Sequence, residues 1–577
     1  MPESLPGNPP QEARRFHPAG SAATDGRLLS RRSLFSAGAG AAAAAAASGP
    51  AVAAIAGITA AAAAADPLFA GARPDLPLTA WAAAGAPAAA AVGRTQQAAA
   101  GRTRQAVAAA QGAPALSSGL PAPDPNVYLV NRLTFGQQAA DLAHAARLGW
   151  NGFIEDQLDP EQIDDSALDA ALGAFPTLAM RPARLLAMDK KTVAGELIAA
   201  AILRAIYSKR QLLELMVDFW TNHFNVYIYE KLDFWLKTVD DRAVIRPFAL
   251  GKFGDLLAAS AASPAMLSYL DNASNTKAGP NENYAREMME LHTLGLNGGQ
   301  TQQDVEEVAR CFTGWTIQPT GGDRGTFRFN PKTHDDSAHT FLGQAIPAGQ
   351  GMGQGSRVLA ICAGHPATAA HIAGKLCVRF VSDTPSAALV NATAATFTAT
   401  GGDIREVMRS ILTSADFRAA ADQKLRRPFE AAVAAVRALD PQLGEGGLAS
   451  LAGVLHLMGQ VPFNWQPPNG YPDANAAWAN TNGMLGRWNL GLALGANALP
   501  GVTADLTVAP GSSAAQLVDL FTARLVARPL LAADRDKLIA YAAGGQPARA
   551  ALPPAQVKAK LPGLVALILD SPYFQWR

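Results

Sequence analysis

From Asn126 onward, apolar residues recur mostly with the period of an amphipathic helix rather than that of a strand. Tyr207, Leu213, Met216, Val217, Trp220 and Phe224 step along one helical face, with Lys209 and Arg210 near its start and His223 on its edge. A second helix is predicted over residues 281–295, opened by Pro280 in its first turn and stopped by Gly295 in a left-handed turn. Thr301 and Asp304 form a capping arrangement for a third, through Val305, Val308, Ala309 and Phe312. Helical spacing returns over Pro366 to Phe380 and again through Ile404, Val407, Met408, Ile411 and Leu412. Between Trp315 and Gly343 the pattern changes. Thr326-Phe327-Arg328-Phe329 alternates polar and aromatic, Asn330-Pro331 turns the chain, and Thr340-Phe341-Leu342 resumes an extended run. The three prolines of the 466–472 segment exclude a helix there. The pattern predicts a mainly α fold, a multi-helix globular domain over 123–577, with a small hairpin or irregular lobe near 315–345.

Upstream of this domain the composition is different. Residues 66–122 are rich in Ala, Pro and Gly, with no apolar period that defines a packed face, and read as a linker. Within residues 1–65, Ser30-Arg31-Arg32-Ser33-Leu34-Phe35 precedes a stretch from Ser36 to Ala65 without a charge. Paired arginines before a weakly hydrophobic segment form an address for twin-arginine export. The expected location is therefore periplasmic or extracellular. The same stretch is a poor anchor, because Ser48-Gly49-Pro50 breaks it and alanine gains little in lipid, so no stable membrane span is expected in the mature protein.

Charge and cysteine content narrow the function classes. The net charge is +1, with 48 Lys plus Arg against 47 Asp plus Glu, and no basic stripe interleaved with aromatics. A nucleic-acid partner is not indicated. Three cysteines, Cys311, Cys362 and Cys377, give no disulfide framework.

Several ordered blocks carry a family resemblance. They are Trp220-x-Asn222-His223-Phe224, then Glu282-Asn283-Tyr284-Ala285-Arg286-Glu287-x-x-Glu290-Leu291-His292-Thr293-x-Gly295, then Phe312-Thr313-Gly314-Trp315. His334-Asp335, His365-Pro366, Lys375-Leu376, Phe380-Val381 and Arg427-Pro428 follow. Together they resemble the bacterial domain-of-unknown-function family numbered 1800, over about residues 123–577. The resemblance implies exported, largely helical proteins of no agreed activity, often encoded beside a sulfatase-like family numbered 1501, which is the one protein partner it suggests. Tyr471 stands where that family leads one to expect tryptophan.

Seven of the 9 histidines lie between His223 and His456, and carboxylates accompany them in the same blocks. Imidazole and carboxylate together suit acid–base work or a divalent metal. The candidate catalytic residues are His223, Glu287, His292, His334 and Asp335, and the candidate metal set takes one residue per block: His223, Glu287 and His334. One helix does not supply the whole set, because Glu287 and His292 fall roughly 140° apart at 100° per residue. The competing reading is structural. Buried histidines are commonly hydrogen-bonded core residues, and Glu287 has Arg427 or Arg310 as potential partners. Arg286 and Glu290 have the spacing of a surface ion pair, and Trp315, Trp465, Tyr471, Trp478 and Trp488 suit aromatic anchors of a core as well as a sugar-binding cleft. Two functions stay open at this point: an enzyme with a buried His/carboxylate pocket, and a non-catalytic binding or assembly partner of the co-encoded family.

The export address is directly testable. Changing Arg31→Lys together with Arg32→Lys is expected to hold the protein in the cytoplasm, as read by fractionation and immunoblotting; unchanged delivery would remove the address.

Overall fold

In the computed structural model, residues 119–577 are described. The expected signal segment and the expected linker up to residue 118 lie outside them. Regular structure opens at Pro125–Leu133, where the Asp124 carboxylate accepts from the Asn126 N–H at 2.8 Å and proline occupies the first turn. From there helices follow one another to the C-terminal end, and the fold is mainly α.

Several helix ends were set by local chemistry that the sequence displays. Thr301 and Asp304 close a reciprocal capping box at the start of the Gln302–Cys311 helix. The Pro366–Phe380 helix begins with the His365 ring accepting from the Ala367 N–H at 3.2 Å. One expected helix is divided. Tyr207 ends the Lys190–Tyr207 helix, and Gln211–His223 starts afresh. The cause lies in a side chain from elsewhere: Asp165 accepts from the Ser208 hydroxyl at 2.6 Å and from the Lys209 N–H at 3.0 Å, which takes the Lys209 N–H out of the helical ladder, while the Ser208 N–H still donates to the Arg204 carbonyl.

Strands occur among the described residues only as short antiparallel pairs. Trp315–Ile317 pairs with Phe327–Phe329, and His339–Phe341 with Gln344–Ile346, forming the small lobe expected near 315–345. The third pair, Gln442–Leu443 with Val502–Thr503, was not foreshadowed, since two-residue strands leave no periodicity to detect. No described helix is long and apolar enough to cross a membrane.

One apolar cluster runs from Tyr128 to Phe574, with Trp220 fully buried and its indole N–H donating to the Ala249 carbonyl at 2.9 Å. A smaller cluster gathers Leu425, Tyr471, Trp478 and Trp576, so these aromatics are packing residues. Tyr471 exploits its phenol there: the hydroxyl lies 2.9 Å from the Val461 and Asn464 carbonyls. The three cysteines are free and buried.

Inside this apolar frame sits a charged knot. Glu430, in the first turn of the Pro428–Leu439 helix, is buried and pairs with Arg379, with Arg427 at 3.4 Å and with Arg577 at 2.7 Å. The three arginines hold its carboxyl well below the ordinary range against the opposing cost of burial. Asp218, on the Gln211–His223 helix, takes a second contact from Arg427 and one from Arg379 at 3.4 Å. Removing one member of such a set leaves uncompensated buried charge. Glu430→Gln is expected to cost about 3–5 kcal/mol in urea unfolding; a loss below about 1 kcal/mol would show that the knot relaxes around the amide.

Candidate functional site

The site is organised by an irregular turn. The helix that begins at Asn283 runs as α only to Glu287 and then widens into a π turn over Met288–His292. The 140° offset expected for a regular α-helix does not survive this widening, because an i→i+5 turn advances fewer degrees per residue. Gly295, at φ +77°, then turns the chain back, its N–H donating to the Met289 carbonyl at 3.1 Å. The last carbonyls of any helix lack an internal partner. Here two successive ones are met by imidazoles: His371 Nε2 donates to the Leu291 carbonyl at 3.2 Å, and His223 Nε2 to the His292 carbonyl at 2.9 Å. Since a carbonyl only accepts, each bond fixes the proton on Nε2 and leaves Nδ1 as a lone pair.

Three imidazoles therefore converge. The His223 ring centroid lies 5.9 Å from that of His292 and 6.2 Å from that of His371. Their neighbours are aromatic, with Phe224 edge-on to His223 at 4.7 Å and 5.0 Å from His292. Burial keeps all three neutral, reinforced by the positive charge of Lys375: His223 falls well below the ordinary histidine range, His292 to about 3 and His371 to about 4. His223 Nδ1 and His292 Nε2 are buried with no hydrogen-bond partner. The close approach also needs Gly295, because a Cβ there would stand 3.1 Å from His371 Nδ1.

A cavity of about 470 Å³ opens beside this cluster, lined by His223, His371, Lys375, Asn222, Asn469 and Asp473 among others. Lys375 is partly open to it, yet enough protein surrounds the ammonium to lower its pKa to about 8, with Asp473 the one carboxylate that opposes the shift. Asp473 reaches back into the charged knot, 3.4 Å from Arg427 and 3.9 Å from Arg379. The proline-rich segment closes the far wall. Gly470, at φ +71°, lies so near Asn222 that any Cβ would collide with its carbonyl oxygen.

Of the residues nominated from sequence, His223 and His292 meet here. His334 and Asp335 instead tie the small lobe to the Gln302–Cys311 helix and the residues that follow it. His334 Nδ1 donates to the Thr313 carbonyl at 2.8 Å, while Asp335 pairs with Arg310 at 3.1 Å and accepts from the Ser337 hydroxyl at 2.6 Å. Glu287 stays apart from the imidazoles, and its charge, after burial and the carboxylates of Glu230 and Asp233, adds to the upward shift of the Tyr269 hydroxyl. Neither suggested arginine reaches Glu287, since Arg310 takes Asp335 and Arg427 takes Asp218, Glu430 and Asp473. Arg286 instead pairs with Glu282 at 2.8 Å and Glu290 at 4.0 Å. Among the described residues no group of three or more His, Cys, Asp or Glu side chains is placed to hold a metal ion.

His371, Lys375 and Asp473 were missed as site residues. A signal was present in the helix Pro366–Phe380, where His371, Lys375 and Arg379 follow one another at i, i+4 and i+8 and so share a side. Attention to the apolar stripe of Ile372, Leu376 and Phe380 hid the polar stripe beside it.

Burial, aided by the neighbouring Glu290, pushes the Glu287 carboxyl up to about 7. The folded state thus binds this proton more tightly than the unfolded chain. Its contribution is full below the ordinary carboxylate pKa and is lost as pH rises through about 7. Glu287→Gln is accordingly expected to stabilise the protein by about 1–3 kcal/mol near pH 8 and to be neutral near pH 4; urea titrations at both pH values check this, and a destabilising effect near pH 8 would refute it.

No curated protein and no solved structure matches this chain. Residues 128–576 match the family described as "Protein of unknown function (DUF1800)", a span that takes in the π turn, the three imidazoles, Lys375 and all of the charged knot but Arg577. The chain therefore belongs to the DUF1800 family.

Proposed function

We propose that this chain is an exported enzyme that performs acid–base chemistry on a small polar molecule bound in the cavity beside His223. The observation that carries the reading is the state of His223: Nε2 is fixed to the His292 carbonyl, while Nδ1 is buried without a partner. A buried polar atom left unsatisfied costs stability, and such costs concentrate where a ligand supplies the missing partner. His223 lines the cavity, so its unprotonated Nδ1 is the atom to receive a proton from a bound hydroxyl or activated water. The His292 carbonyl holds the ring and favours the imidazolium formed when that proton arrives. Lys375, with its pKa near 8, stands by as the acid or as a positive charge for a developing anion. This reading keeps His223 and His292 from the sequence-derived set and adds His371 and Lys375 to them.

The test is turnover of a panel of chromogenic carboxylic, phosphate and sulfate esters and glycosides. A substrate from the panel is expected to lose roughly 10²–10⁴-fold in rate with His223→Ala, at a circular dichroism spectrum equal to that of the parent. Equal rates for parent and variant would overturn the assignment of His223 as the base.

A further inference from the structure

The cavity wall carries a lysine without an ion pair of its own, and that identifies the class of ligand. In the knot, Arg379, Arg427 and Arg577 face the carboxylates of Glu430, Asp218 and Asp473, while Arg132, Arg426 and Arg487, buried nearby, are met by carbonyl and amide oxygens. Lys424 has its own counter-charge in Asp383 at 2.6 Å. Lys375 has none. The carboxylate acting on it, Asp473, already serves Arg379 and Arg427. The three imidazoles nearby stay neutral and contribute no charge of either sign. One ammonium is thus left over at the wall of a cavity with room for a small organic molecule. An unpaired ammonium in such a place is costly unless something negative joins it.

Building on the acid–base reading, we propose that the cavity takes a small hydroxylated anion, its carboxylate, phosphate or sulfate group seated on Lys375 and its hydroxyl donating to His223 Nδ1. The two ends of the ligand follow from two separate features of the wall, the unpaired ammonium and the unpartnered lone pair. Asn222 and Asn469 offer further polar contacts, while Phe219 and Val378 set an apolar limit on its width.

Thermal unfolding of the full chain with gluconate, inorganic phosphate, or uncharged sorbitol tests this. Gluconate should raise the melting temperature by several degrees, phosphate by less because it lacks the carbon-borne hydroxyls, and sorbitol not at all. Lys375→Met should abolish the gluconate rise yet melt no lower than the parent without ligand, because it removes a charge with no partner. Lys375→Arg should keep most of the rise and guards against a methionine variant that fails to fold. A second reading comes from calorimetry at pH 8 in two buffers of different ionisation heat. An anion beside Lys375 favours its charged form, so gluconate binding should take up a fraction of a proton in the parent and none in Lys375→Met. A gluconate rise that survives Lys375→Met, an equal rise with sorbitol, or binding without proton uptake would each overturn the proposal. Because His223→Ala should still bind the anion, though more weakly, loss of turnover and loss of binding separate the two readings.

Discussion

The buried carboxylate of Glu430 is the constraint on which the rest of the structure depends. Burying one charge in an apolar core of this size is feasible only with partners of fixed geometry, and Glu430 takes Arg427 from the cap of its own helix and recruits Arg379 and Arg577 from distant stretches of chain. Each partner positions something else. Arg379 anchors the inner end of the helix that presents His371 and Lys375, and Arg427 engages Asp218 on the helix that presents Asn222 and His223. The knot therefore fixes the relative placement of the two helices that form the cavity wall, although it takes no part in the proposed chemistry.

The π turn complements this from the other side. A regular α-helix through residue 292 would direct its terminal carbonyls elsewhere, and the imidazoles of His223 and His371 would lose the acceptors that select their tautomers. The site thus combines a rigid electrostatic base with a local irregularity in the backbone. Irregular turns of this kind are often found at functional sites, and their cost is offset by packing such as that of Phe224 against both His223 and His292.

How legible all this was in the sequence differs by level. Helices with a sustained apolar period were read well, and Pro366–Phe380 has the bounds its spacing suggests. Caps formed by neighbours in sequence, such as Thr301 with Asp304, were equally plain. What escaped was everything decided by residues far apart. Asp165 interrupts a helix at Ser208 from 43 positions away, and nothing local to Tyr207 announces it. The π turn has no periodic signature distinct from an α-helix over five residues. Within the site, His223 and His292 stood out as histidines in apolar surroundings. Lys375 did not, because an isolated lysine on a helix reads as a solvated surface residue until the fold shows that it lines a cavity.

The bond from the Arg132 guanidinium to the Arg577 carbonyl spans 445 positions, at 2.9 Å. The first described helix thus closes against the last residue, and Arg132 also reaches the Phe380 and Val381 carbonyls midway. A chain synthesised from its N-terminus must carry this helix without one of its three polar partners until residue 577 has emerged. Contacts of such separation in sequence slow folding, because loop entropy is lost before the contact rewards it. The core around Arg132 is therefore completed late, once residue 577 can fold back, and until then the first described helix stays an unfinished edge.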